Sequence, residues 1–196
     1  MAHPARARLL ADLASRCPAG PPSGAWAVRV AVDDFHRPRA ERYARGRRDP
    51  DGFFLDSFDD ERLRADVLDP LGVGGDGVVR RKAFDHVRDS PVDAPSEQVP
   101  PGVVLVLDGL FLHRDELRDG FDWSVFLRVP FAVSVARTAA RDGSSPDPDA
   151  ASNRRYVLGQ RRYLRECDPG SRASVVVDNT DLERPFVVAP AQPRGA

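Results

Sequence analysis

VRVAVDDFHRP, residues Val28–Pro38, runs from a β-branched stretch straight into two carboxylates, an aromatic ring, a histidine and a proline. Valine and alanine in such a run predict a strand, and Asp33 and Asp34 stand where the chain leaves it. In open parallel sheets ligands bind outside the carboxyl ends of the strands, so acids at such an end face the place where chemistry is done. A second run, VVLVL at Val103–Leu107, ends the same way, in Asp108-Gly109. It is apolar throughout, which predicts a central parallel strand covered on both faces.

Working outward from these two strands, helices and strands alternate. Ala5 to Arg16 spaces Leu9, Leu10 and Leu13 as a short amphipathic helix, and the proline- and glycine-rich Cys17–Gly24 breaks it. A buried strand is expected over Ala25–Val32, then a turn or two of helix at Arg39–Arg45. A helix capped by Asp59 or Asp60 carries Leu63, Val67 and Leu68 and stops at Pro70 and Gly72. The glycine turn at 72–77 leads to a strand over Val78–Phe84. After Asp108 come a helix near Arg114–Arg118, a strand at Trp123–Val129 and helices over Phe131–Arg141 and Asn153–Cys167. A last strand spans Ala173–Val177. This alternation predicts an α/β fold with a mostly parallel sheet. The division expected is an N-terminal helix and loop at 1–24, one α/β domain at 25–185 and a loosely held tail at 186–196.

Bulk composition removes several classes of function. The 196 residues have a formal net charge of -1, which offers no electrostatic case for a nucleic-acid or membrane partner. No run approaches the roughly 20 apolar residues of a membrane span, so a cytoplasmic setting is expected. Cys17 and Cys167 fit no metal or redox spacing and are expected to be reduced. Of the 29 basic residues all but one, Lys82, are arginine. That bias points to a GC-rich genome and restricts the lysine chemistry on offer.

Carboxylates at two strand ends suit a general base and a magnesium ligand. An Asp at a strand end also caps turns, and for Asp33 or Asp108 alone that reading is equally good. Arg137 and Arg141, four apart, share a helix face, and Arg154, Arg155, Arg161, Arg162 and Arg165 follow on the next helix. Arginine forks suit phosphate oxygens; a solvated helix face explains any one of them as well. Metal-dependent hydrolysis by Asp33, Asp34, His36 and Asp108 is a further reading, weakened by the single histidine beside the acids.

The order of these motifs resembles the uridine kinase branch of the P-loop nucleoside kinases, of an actinobacterial type, over about residues 26–182. VDDFHRP resembles the acidic motif that contacts ribose, which places Asp33 as the catalytic acid–base with Asp34, Phe35 and His36 beside the substrate. DSFDDERL resembles the segment opening a helix next to the nucleoside, placing Asp56 and Asp59. KAFDHVRD resembles the base-contacting hairpin, with Phe84 where the family has tyrosine. VVLVLDGLFL resembles the strand whose acid helps hold magnesium, which makes Asp108 the implied metal ligand. ARTAARDG resembles the lid helix whose arginines reach the phosphates, here Arg137 and Arg141, and Arg155 lies near a base-reading position. The resemblance implies a three-layer P-loop-kinase-like fold and ATP-dependent, Mg²⁺-assisted phosphoryl transfer to a nucleoside 5′-hydroxyl. Nucleosides and nucleotides are its implied partners, with homo-oligomers left open.

One departure matters. The family's G-x-x-x-x-G-K-[ST], whose backbone N–H groups cradle phosphates, has no match here, and Lys82 has neither the preceding glycine nor the following hydroxyl. AWAVRVAVD resembles the family's first strand, and DDFHRP resembles the segment after its second. One βαβ unit of about 30 residues is therefore expected to be lacking. Two other readings stay open beside an active kinase: a nucleoside-binding or regulatory homologue without catalysis, and a deletion variant of an active enzyme.

Overall fold

The structure, a computed structural model, describes residues 27–189. The helix read over Ala5–Arg16, the loop at 17–24 with Cys17, and residues 190–196 lie outside them. The chain opens with β1 (Ala27–Ala31) and a 3₁₀ turn (Val32–Phe35), then α1 (Arg39–Arg42), α2 (Pro50–Leu55) and α3 (Asp60–Leu63). A π turn (Arg64–Leu68) joins α3 to α4 (Asp69–Leu71). Four two-residue strands come next: β2 (Val78–Val79), β3 (Phe84–Asp85), β4 (Ser90–Pro91) and β5 (Glu97–Gln98). The second half holds β6 (Val104–Asp108), β7 (Val125–Arg128), α5 (Phe131–Asp142), α6 (Arg154–Cys167), α7 (Pro169–Arg172), β8 (Val175–Asp178) and β9 (Phe186–Ala189).

Two parallel pairs stand in separate sheets. β1 runs beside β6 in a register that sets Ala27 against Val104 and Ala31 against Asp108. β7 runs beside β8, Val125 against Val175 and Arg128 against Asp178, with β9 antiparallel on the far side of β8. β6 and β7 are not hydrogen-bonded to each other. The expectation of an α/β fold with a mostly parallel sheet holds.

Local chemistry explains where the helices begin and pack. The Asp49 carboxylate accepts from Gly52 N at 2.7 Å with Pro50 at the first helical position, and Asp59 accepts from Arg62 N at 3.0 Å. These are ordinary N-terminal caps. α2 and α6 touch through Gly159, where any Cβ would lie 2.8 Å from Phe53 Cδ1 and 2.9 Å from Pro50 O. The core gathers on Phe111, whose ring stands edge-on to Phe53 at 5.2 Å, Phe54 at 5.3 Å and Tyr163 at 5.2 Å. Val28, Val30, Val32, Phe35 and Leu63 complete it.

Several expectations need correction. β1 is not buried on both faces: Val28 and Val30 face the core, whereas Arg29 is exposed. β6 has no fully buried residue, and Val104 is 46% exposed, because among the described residues its one strand neighbour is β1. The strand expected over Val78–Phe84 is only Val78–Val79, since Arg80 and Arg81 turn out to meet Asp93 and Glu97. Phe186–Ala189, expected in a loose tail, is β9, held by β8. The segment near Arg114–Arg118 is a run of turns ending in a 3₁₀ turn, Arg118–Gly120. Cys167 is a buried free thiol, and among the described residues no helix is long and apolar enough to cross a membrane.

Beneath the sheet Asp60 meets Arg114 Nη1 at 3.0 Å with both side chains nearly buried. Burial pushes the Asp60 carboxyl up to about 6, more than Arg114 pulls it down. The raised value makes its contribution complete below the ordinary 3.8, and that contribution is lost as pH rises through about 6. Urea denaturation of the native chain and of Asp60→Asn should therefore differ by an amount that shifts against the native chain between about pH 4 and pH 7. The shift expected is on the order of 3 kcal/mol.

Candidate functional site

β1 and β6 carry their acids to one edge. Because Ala31 stands opposite Asp108, the 3₁₀ turn after β1 sets Asp33 just beyond the end of β6. The approach is close: a Cβ on Gly109 would fall well inside contact with Val32 Cγ1. Glycine is thus the residue that lets β6 leave its strand against β1. Arg29 Nε donates to Asp108 Oδ1 at 2.9 Å, fixing that carboxylate, and the same hydrogen bond holds the guanidinium above its usual pKa. Among the described residues, none holds the Asp33 side chain. Asp34 pairs with Lys82 Nζ at 2.9 Å.

His36 closes this end of the site. Its Nδ1 lies 2.8 Å from the Asp33 carbonyl, which can only accept, so Nδ1 carries the proton and Nε2 is the ring's acceptor. Burial pushes the imidazole below its ordinary pKa, keeping it neutral near pH 7. The ring stacks on His86 at 4.9 Å and against Phe58 at 4.6 Å.

Asp33, Asp34, His36 and Asp108 line one large cavity of 3590 Å³ with Arg137 and Arg141 of α5. Arg137 is anchored: Nη1 donates to the Asn179 carbonyl at 2.9 Å and Nη2 to that of Thr180 at 2.5 Å, just past β8. Arg141, by contrast, is exposed and makes no hydrogen bond or ion pair with another described residue.

Four other residues singled out in the sequence lie elsewhere. Phe35 is 0% exposed and packs in the core beneath the acids. Phe84, 6% exposed, sits in the β3–β4 hairpin opposite Pro91. Asp56 is tied to Arg45 at 2.9 Å. Arg155, 5% exposed, donates to the carbonyls of Arg42, Gly46, Arg47 and Asp49 and lies over the Tyr43 ring at 4.9 Å. Its guanidinium clamps the turn before α2. None of these four lines the cavity.

Arg29, Lys82 and His86 stand beside the acids and line the same cavity, and the sequence reading of the site did not include them. Arg29 alone left a signal, as a charge interrupting a valine strand. Among the described residues no group of three or more His, Cys, Asp or Glu side chains is placed to hold a metal, so the hydrolase reading gains no support. A single carboxylate does fit a magnesium ion that keeps several waters and takes its other ligands from substrate phosphates. Asp108, oriented by Arg29, is such a group. For ATP phosphates the fit fails, because the sequence holds no glycine-rich cradle ending in lysine and a hydroxyl.

No protein-family model matches the chain, and no curated protein matches it. Solved structures do. A protein described as a possible uridine kinase from Bacillus stearothermophilus superposes with a TM-score of 0.59 and 23% identity, over 81% of this chain and 74% of that one. Phosphoribulokinase from Rhodobacter spheroides gives a TM-score of 0.59 and 17% identity, over 98% of this chain and 73% of that one. The class is therefore an α/β fold of the P-loop-kinase kind. In fold the chain is similar to both of these kinases.

The close approach at Gly109 gives a direct test of how the acids are set. Gly109→Ala forces Val32 or β6 to move and should cost about 1–3 kcal/mol of stability in urea denaturation. Gly170→Ala, whose added carbon meets nothing nearer than Asp168 Oδ1 at 3.9 Å, controls for general effects of the change.

Proposed function

We propose that this chain is a uridine-kinase-like protein that binds a nucleoside at the carboxyl ends of β1 and β6, with its 5′-hydroxyl at Asp33. The observation that carries the reading is the pairing of Ala31 with Asp108, which brings the acids of two separate motifs to one edge of a kinase-like fold. Asp33, held by no other described side chain, serves as general base for the hydroxyl proton. His36 and His86 offer the ring surface beside it. Mg²⁺, held by Asp108, would neutralise phosphate charge when bound. Arg141 presents its guanidinium to phosphate oxygens, and Arg137, braced on two carbonyls, adds positive charge behind it. A cytoplasmic setting belongs to the same proposal.

Phosphoryl transfer from ATP is positioning and electrostatics almost entirely, and the cradle that positions the phosphates is missing from residues 1–196. The lone lysine favours a second reading for the isolated chain, nucleoside binding without transfer, because Lys82 is already engaged by Asp34 at 2.9 Å.

Calorimetric titration separates the two halves of the site. Uridine should bind the chain, and Asp33→Asn should weaken it at least ten-fold; Mg·ATP alone should bind weakly. Arg141→Ala should lower affinity for uridine monophosphate while leaving uridine unchanged and the urea midpoint unmoved. No uridine binding, or equal affinities for the native chain and Asp33→Asn, would remove the assignment. Tight Mg·ATP binding would contradict the missing cradle.

A further inference from the structure

The β3–β4 hairpin reaches the cavity on very little structure of its own. Each strand has two residues, and an isolated two-stranded hairpin is marginal in water. Its loop nevertheless holds His86 against His36, ring centroids 4.9 Å apart, and lines the cavity with Val87 and Arg88, both exposed. The base of the hairpin is tied to the acidic motif. Ala83 N donates to the Asp34 carbonyl at 3.0 Å, and Lys82 pairs with the Asp34 carboxylate at 2.9 Å. Within the loop, the Asp85 carboxylate accepts from Val87 N at 3.0 Å and from Arg88 N at 3.1 Å.

The tip is tied elsewhere, by Asp89. α1 begins after Pro38, whose side chain caps nothing. The acceptor comes instead from 50 residues away: Asp89 Oδ1 accepts from Arg39 N, the first N–H of the helix, at 2.9 Å. Asp89 also meets Arg42 Nη2 at 3.5 Å, and Arg39 Nη2 donates back to the Val87 carbonyl at 3.1 Å. A carboxylate in this place satisfies an N–H that has no partner within the helix. Asp89 does so with φ of 56°, a left-handed backbone that Asp and Asn adopt more readily than other side chains. Such a conformation persists where its surroundings enforce it, and here the cap is what enforces it. Pro38 ends the motif that began with Asp33, so one hydrogen bond joins the exit of the acidic segment to the far end of the hairpin.

We propose that Asp89 is a positioning residue of the cavity. By capping α1 it sets the hairpin so that His86 stacks on His36 and Val87 and Arg88 line the space beside the acids. Asp89 itself does not line the cavity; it acts through His86. For the identity of the ligand this inference rests on the nucleoside reading, but for the placement of His86 it does not.

The test uses the full chain and reads His86 first without ligand. Asp89→Gly permits the left-handed turn and deletes the acceptor, whereas Asp89→Asn keeps both. Arg39→Pro removes the donor from the other side, at a first helical position that accepts proline. In Asp89→Gly and in Arg39→Pro the His86 ring-proton resonances should move toward those of an unstacked histidine, while those of Phe111 and Tyr163 in the core stay. Uridine affinity should fall about ten-fold in each, and no further when the two are combined. Asp89→Asn should keep the native resonances and the native affinity. An unmoved His86 in Asp89→Gly, an equal loss in Asp89→Asn, core resonances that move with His86, or full uridine affinity in the displaced variants would overturn the proposal. Displacement of His86 in both variants of a chain that binds no uridine would uphold the role of Asp89 and remove the nucleoside reading.

Discussion

Everything the site offers depends on β1 lying parallel to β6 with Ala31 opposite Asp108. Parallel pairing sends both strand ends to the same edge, so two acids from distant motifs arrive together without any contact between them being required. The register is held by packing on one face, through Val28 and Val30, and by the Arg29–Asp108 hydrogen bond on the other. A slip of one residue would turn those valines out of the core. Gly109 allows the tight exit, because a side chain there would collide with Val32.

Arginine does most of the fastening in this molecule, and that separates helpers from ligands. A buried guanidinium has to be matched by acceptors or it is strongly unfavourable. Arg155 meets that demand with four backbone carbonyls, and Arg114 with Asp60, Glu116 and the Phe54 carbonyl. Arg137 commits two of its donors past the end of β8. Such groups are engaged before any ligand arrives. Arg141, exposed on the same helix as Arg137, still has its donors to offer.

Much of this was legible in the sequence. The runs before Asp33 and Asp108 announced parallel strands with acids at their ends, and helix spacing placed Phe131–Asp142 and Arg154–Cys167 within a residue of where they lie. The illegible features share one cause: burial depends on neighbours remote in sequence. Phe35 and Phe84 read as ligand contacts from their motifs alone, and both turn inward. Arg155 read as a base-contacting group, yet its acceptors lie more than a hundred residues away. His86 was invisible because only the β3–β4 hairpin brings its ring to His36. The shape of β6 was misjudged in the opposite sense, as covered on both faces, for want of a second neighbour.

The most direct measurement is a uridine titration of the isotopically labelled chain followed through its backbone amide resonances. If the paired strand ends form one site, the amides of Asp33–His36 and of Asp108 and Gly109 shift together along a single binding curve. Those beside Phe84 and Arg155 then stay still. Shifts at one strand end without the other, or shifts centred on Phe84 and Arg155, would contradict a site built by the β1–β6 pair.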